Sequence, residues 1–149
     1  MPITKEFTVR VENRPGSLGK ICRELAQGGV NIMAFQSIPA EKTLLVCIVV
    51  DKPAAAETIL DKKGISYTEA EVVQIQLPNA PGELARAASK LGEANININY
   101  AYCGVEASIS APLVIFGVTE VGRAAAILDR ATASAPSAAS AAAAAPGAM

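Results

Sequence analysis

The chain repeats itself. Val11-Glu-Asn-Arg-Pro-Gly-Ser-Leu18 matches Leu77-Pro-Asn-Ala-Pro-Gly-Glu-Leu84 at an offset of 66 residues. The same offset carries Lys20 onto Arg86, Leu25 onto Leu91 and Val30-Asn31-Ile32 onto Ile96-Asn97-Ile98, without a gap. Upstream, Phe7, Val9 and Val11 fall on Val73, Ile75 and Leu77, and Thr8 and Arg10 fall on Gln74 and Gln76. Further on the offset drifts: Leu44 to Val50 matches Leu113 to Val118, and Ile59-Leu60-Asp61 matches Ile127-Leu128-Asp129. Drift is tolerated in a connection between strands. A duplicated unit has to fold the same way twice, so every local reading is checked by its counterpart.

Phe7, Val9 and Val11 alternate with Thr8, Arg10 and Glu12, the pattern of a strand with one face inward and the other outward. After a Pro-Gly turn, Leu18, Ile21, Cys22 and Leu25 recur at helical spacing, and Gly28-Gly29 supplies a left-handed C-cap. In the second repeat the helical face is Leu84, Ala87, Ala88 and Leu91, with an end near Gly92. A second strand is predicted from Asn31 to Ile38 and from Asn97 to Cys103, and a third over Leu44 to Val50. Pro53 suits the first turn of a second helix with Ala56, Ile59 and Leu60 inward; its counterpart runs from about Val121 to Arg130. A fourth strand is expected from Ile65 to Glu71. The order βαββαβ is the ferredoxin-like, split-βαβ unit of the α+β class, with two helices on one face of an antiparallel sheet.

The organisation follows: repeat 1 over 1–71, repeat 2 over 72–130, and an Ala/Ser/Pro-rich tail over 131–149, read as disordered or weakly helical. The fourth strand runs into the first strand of the second repeat without a linker, so the repeats form one block. No fourth strand is evident in the second repeat. The repeats are expected to pair side by side through their second strands.

Composition narrows the function. With 13 basic and 14 acidic residues the net charge is −1, which gives no electrostatic footprint for nucleic acid or an anionic membrane. Histidine is absent, so Ser-His-Asp and Cys-His catalysis and His-ligated zinc are excluded. The three cysteines, Cys22, Cys47 and Cys103, are far apart and form neither a disulfide framework nor a thiolate metal site. No secretory h-region or membrane-length apolar run is present, and free thiols suit the cytoplasm. No cofactor motif appears.

A strand, a Pro-Gly-x-Leu turn, a helix and a Val-Asn-Ile strand start together resemble the ACT domain, twice over residues 4–130. The stretch from Glu12 to Leu18 with Gly29-Val-Asn-Ile32 is similar to the serine-binding regulatory domain of phosphoglycerate dehydrogenase. The resemblance implies a stand-alone tandem-ACT protein. Such a protein is a non-catalytic amino-acid sensor or regulatory subunit of amino-acid metabolism, with a free amino acid bound between paired domains. It further implies, as partner, an amino-acid biosynthetic enzyme or regulator. A homodimer is expected because short repeats are marginal alone and exposed sheet edges invite pairing. In that family, asparagines at two motif positions contact the ligand from opposite sides of the interface. Carried over, one pocket holds Asn13, Gly16, Ser17 and Leu18 with Asn97; the other holds Asn79, Gly82, Glu83 and Leu84 with Asn31. The resembled domain has a histidine two residues before the first asparagine. Val11 and Leu77 stand there, so the resemblance carries the binding mode and not the ligand's identity.

The chemistry can also be argued from the residues. An amino-acid carboxylate needs donors, and a helix's first turn presents unpaired N–H groups at the positive end of the dipole. Asparagine offers acceptor and donor without charge. Each motif also has a structural reading: Pro-Gly as a turn, Asn as a local cap. Tyr100 and Tyr102 share a strand face, to pack an interface or wall a pocket. Cys47 reads as inert core, and Glu69 with Glu71 as a solvated face. Two other functions stay open. One is a ligand-free assembly module; the other is a small enzyme, for which no nucleophile–base pair is present.

Overall fold

A computed structural model describes residues 2–104 and 111–134. The order is β1 (Ile3–Glu12), α1 (Ser17–Gln27), β2 (Ile32–Ala40), β3 (Thr43–Val50), α2 (Pro53–Lys62), β4 (Tyr67–Gln76), α3 (Glu83–Glu93), β5 (Ile98–Gly104), β6 (Leu113–Val118) and α4 (Val121–Ser134). All six strands form one antiparallel sheet in the order β2-β3-β1-β4-β6-β5.

The expected fourth strand of repeat 1 and first strand of repeat 2 are one continuous strand, β4. Its first part pairs with β1, from Tyr67 opposite Val9 to Val73 opposite Ile3. Its last part, Val73 to Gln76, pairs with β6. In the second repeat the place beside β4 is taken by β1, and Gln74 N–H donates to the Pro2 carbonyl at 2.7 Å. Each repeat thus supplies βαββα, and the first strand of each stands as the fourth strand of the other.

This corrects the expected pairing through second strands. β2 and β5 are the two edges of the sheet, and the repeats join through β1 and β4. The sheet curls until its edge strands approach each other without pairing.

The helices cover one face. Phe7, Val9, Val46, Ile48 and Val50 pack under Ile21, Leu25, Ala56 and Leu60 in repeat 1. Val73, Ile75, Val114, Phe116 and Val118 pack under Ala87, Leu91, Ala124 and Leu128 in repeat 2. The opposite face is covered by the curl itself: Ala34, Val49, Val72 and Ile115 form a third apolar cluster with Tyr100 and Tyr102 against it. Strands β1, β3, β4 and β6 are therefore buried on both sides over part of their length, and Leu44 to Val50 is apolar without alternation for that reason.

Helix ends follow the chemistry of the caps. After α1, Gly29 takes φ 74°, with Gly29 N–H on the Ala26 carbonyl and Val30 N–H on the Leu25 carbonyl. This is a Schellman closure. After α3 the same closure is made by Asn95 at φ 60°, with Ile96 N–H on the Leu91 carbonyl. The helix ends at Glu93, next to Gly92 as expected. Helix α4 runs on to Ser134, so the first residues of the expected tail are helical. The rest of that tail, 135–149, lies outside the described residues. Among the described residues no helix is long and apolar enough to cross a membrane.

Candidate functional site

The two Pro-Gly turns have the same geometry. Strand β1 ends at Glu12, and Asn13 N–H donates to the Lys42 carbonyl at 3.1 Å, tying the turn to the β2–β3 hairpin. Gly16 takes φ 89° as N-cap of α1 and accepts from Lys20 N–H at 3.0 Å. In repeat 2, Gly82 takes φ 87° and accepts from Arg86 N–H at 2.9 Å. Only glycine adopts this backbone without strain, and a Cβ at either position would point into open space. Neither helix has a side-chain cap. The N–H groups of Leu18 and Gly19, and of Leu84 and Ala85, meet no backbone carbonyl among the described residues. Each turn therefore presents free donors at a helix N-terminus over exposed ground, the arrangement that accepts a carboxylate.

The side chains differ between the repeats. Ser17 and Leu18 are half-buried, and Leu18 packs on the repeat-1 core. Leu84 is 54% exposed. The Glu83 carboxylate turns along α3 to Arg86 at 2.8 Å, so its charge is partly offset beside the turn.

All four asparagines are exposed. Asn31 and Asn97 begin the second strands through backbone bonds of the same kind, Asp51 N–H to the Asn31 carbonyl and Thr119 N–H to the Asn97 carbonyl. The Asn31 side-chain amide faces Met33 Sδ at 3.4 Å, and that of Asn97 donates to Asn99 Oδ1 at 2.8 Å. Strand directions put Asn97 at the end of the sheet where β1 delivers Asn13, and Asn31 at the end where β4 delivers Asn79. Within each pair two strands intervene, and no hydrogen bond joins any of the four asparagines to another among the described residues.

The sequence reading missed Glu6. It is 1% exposed, the one buried charged residue among those described. Its Oε1 accepts from Tyr100 O–H at 2.5 Å and its Oε2 from Tyr102 O–H at 2.6 Å. The two rings stack with centroids 6.4 Å apart. Burial first, and then the Glu6 hydrogen bond, push both phenols above the ordinary tyrosine range. Thr8 and Cys47 lie beside them, Oγ1 to Sγ 3.6 Å, and burial pushes the Cys47 thiol up. A thiol so placed stays protonated and unreactive. Glu69, expected in solvent, ion-pairs with Lys5 at 3.1 Å, and Lys5 also meets Glu57 at 2.8 Å.

Among the described residues no group of His, Cys, Asp and Glu could hold a metal ion.

A family model described as an ACT domain pair matches residues 1–132. Among solved structures, protein BT0572 from Bacteroides thetaiotaomicron superposes with a TM-score of 0.80 at 21% identity, over 88% of this chain and 90% of that one. The ligand-free regulatory subunit of aspartate kinase from Thermus thermophilus gives a TM-score of 0.59 at 14% identity, over 88% of this chain and 93% of that one. The regulatory subunit of aspartate kinase from Thermus flavus gives 0.55 at 17% identity, over 89% and 92%. Among curated proteins, no sequence matches the chain. These structures share its fold, and the match over both repeats places the chain in the family of ACT domain pairs.

Proposed function

We propose that this chain is a non-catalytic amino-acid sensor or regulatory subunit of amino-acid metabolism. The observation that carries the reading is the twice-built turn, with a left-handed glycine N-cap and free backbone donors. A zwitterion's carboxylate would sit at the donors, and its ammonium would take an asparagine oxygen. The asparagines are Asn97, at the same end of the sheet as the Asn13 turn with Gly16, Ser17 and Leu18, and Asn31, at the same end as the Asn79 turn with Gly82, Glu83 and Leu84. Binding would shift the packing between repeats, and a partner would read that shift. The partner is an amino-acid biosynthetic enzyme or regulator, and the setting is the cytoplasm. Two neighbours are themselves regulatory subunits of a kinase that acts on an amino acid, which supports this choice of partner.

The deciding experiment is a thermal-shift screen against the protein amino acids one at a time. A ligand at 100 times its dissociation constant stabilises by about 2.7 kcal/mol. A panel with no shift at millimolar concentration refutes the reading.

A second reading, an assembly module, rests on the sheet edges. β2 carries no charged residue from Ile32 to Ala40 and exposes Met33, Phe35 and Ile38. Uncharged edges pair readily, which also supports the proposed homodimer. Light scattering that finds a monomer at all concentrations would remove both.

A further inference from the structure

The repeat offset reveals that the buried carboxylate is one-sided. It maps Glu6 onto Val72, and it maps Ala34 and Gln36 onto Tyr100 and Tyr102. These residues form one set on the curled face, where Val72 and Ala34 belong to the same apolar cluster as Val49 and Ile115. In one direction β5 of repeat 2 is tied to β1 of repeat 1 by two hydrogen bonds to Glu6, across β6 and β4. In the other direction the corresponding positions hold Ala34 and Gln36 on β2 and Val72 on β4, where the carboxylate and phenols have no counterpart. An edge strand is held by its single ladder neighbour unless something further ties it down. β5 has both the β6 ladder and the Glu6 clamp, which reaches across two strands; β2 has the β3 ladder, apolar contact and a Gln36 side-chain hydrogen bond that goes no further than Cys47 on the adjacent β3.

Tyr100 is close in sequence to Asn97, and β1 leads from Glu6 to the turn at Asn13. We infer that Glu6, Tyr100 and Tyr102 preorganise the candidate ligand site completed by Asn97 and leave the counterpart site at Asn31 unclamped, so that the two sites are unequal. The inference rests on the amino-acid-binding reading for its ligand, and on the hydrogen-bond geometry alone for the clamp. Glu6 is a positioning residue in this scheme, because its carboxylate is fully occupied by the two phenols and reaches the ligand only through β1 and β5. Gly117 offers an independent handle. A Cβ there would lie 2.3 Å from Tyr100 Cζ, so alanine must push the ring off its place while Glu6, Tyr100 and Tyr102 all keep their identity.

The test is amide hydrogen exchange on the full chain, wild type against Glu6→Gln, Tyr102→Phe and Gly117→Ala. In the wild type the amides of Asn97 to Tyr102 should exchange more slowly than those of Asn31 to Gln36. Each variant should speed the first set about ten-fold, the scale of one lost buried hydrogen bond, and leave the second set unchanged. If Glu6→Gln does not fold, Tyr102→Phe, which loses one hydroxyl, carries the comparison. Equal exchange of the two sets in the wild type, or acceleration spread evenly over the chain, would overturn the clamp. Calorimetry with each of the protein amino acids then reads the sites. Two unequal binding steps are expected, with the tighter one weakened about ten-fold by Tyr102→Phe. If no amino acid binds the wild type, the functional reading falls while exchange still decides the clamp. If an amino acid binds in equal steps that Tyr102→Phe leaves alone, the inference falls and the functional reading stands.

Discussion

Lys5 and Glu71 face each other directly across β1 and β4, and the repeat offset of 66 maps the first onto the second. The neighbouring pairs obey the same rule. Thr4 faces Val72 and Glu6 faces Ala70, and the offset turns one pair into the other. A pseudo-two-fold axis therefore passes between Lys5 and Glu71, through the strands that join the repeats.

Cutting the chain between Glu71 and Val72 severs β4 next to that axis. A half of this size buries only about 60% of its unfolded surface and is marginal alone. The second half also loses β1, the strand beside its own first strand, and the first half keeps only Tyr67 to Glu71 of β4 against β1. The halves should be largely unfolded apart and should regain native secondary structure on mixing. Circular dichroism of each fragment and of the mixture checks this; two halves that fold independently would contradict it.

Gly16→Ala and Gly82→Ala place a side chain at φ 89° and 87°. Space is open around both, so backbone strain is the whole effect, about 1–2 kcal/mol each. Urea unfolding should show this loss at both positions, nearly additively because they lie in different repeats.

Asn13→Ala or Asn97→Ala should weaken amino-acid binding by about 1–3 kcal/mol, the scale of a lost hydrogen bond to a charged group of the ligand. Asn31→Ala and Asn79→Ala should matter less, because the Glu83 carboxylate stands beside the second turn. Titration calorimetry on the four variants measures the difference. Equal and negligible effects from all four would favour the assembly reading.

The three tyrosines should resist alkali. The Asp61 hydrogen bond pushes Tyr67 up to about 12, and Tyr100 and Tyr102 are displaced upward by burial and by Glu6. A phenol is neutral when protonated, so raised values mean that the folded chain keeps these protons to higher pH than the unfolded one. Their contribution to stability is full below about pH 10, the ordinary tyrosine value, and is lost as pH rises through the folded values. Phenolate absorbance near 295 nm should stay flat through pH 10 and rise only beyond it. Glu6→Gln should bring part of that rise to lower pH.

Deleting residues 135–149 should leave the melting temperature unchanged. That stretch has no charged residue and, before Met149, no apolar side chain larger than alanine or proline, so it offers little to bury. A loss of several degrees in calorimetry would show that it docks.

Most of the local structure was legible because each signal occurs twice. Strand alternation, the Pro-Gly turns and helical spacing fixed the elements of both repeats, and Gly29 marked the first helix end. Asn95 does the same work at the second, three residues past Gly92, because asparagine also tolerates the left-handed region. The joining of β1 to β4 was not legible, since pairing partners depend on edges and not on any one strand's pattern. Glu6 escaped for a related reason. With Phe7 and Val9 inward, period-two logic sends Glu6 to solvent, and it cannot know that the curl buries the second face as well. The available signals were the unbroken apolar run of β3 and the tyrosines sharing a face on β5.

The shared strands have a consequence for how such a molecule can vary. One βαββα unit lacks a strand beside its first, and two identical copies would supply it to each other around a true axis. Such a homodimer would carry the same residue at both symmetry-related places, so a carboxylate at one would be a carboxylate at both. A single chain escapes that constraint: it holds glutamate at position 6 and valine at position 72. Covalent linkage of the halves is thus what permits them to be inequivalent, and with them the two turns.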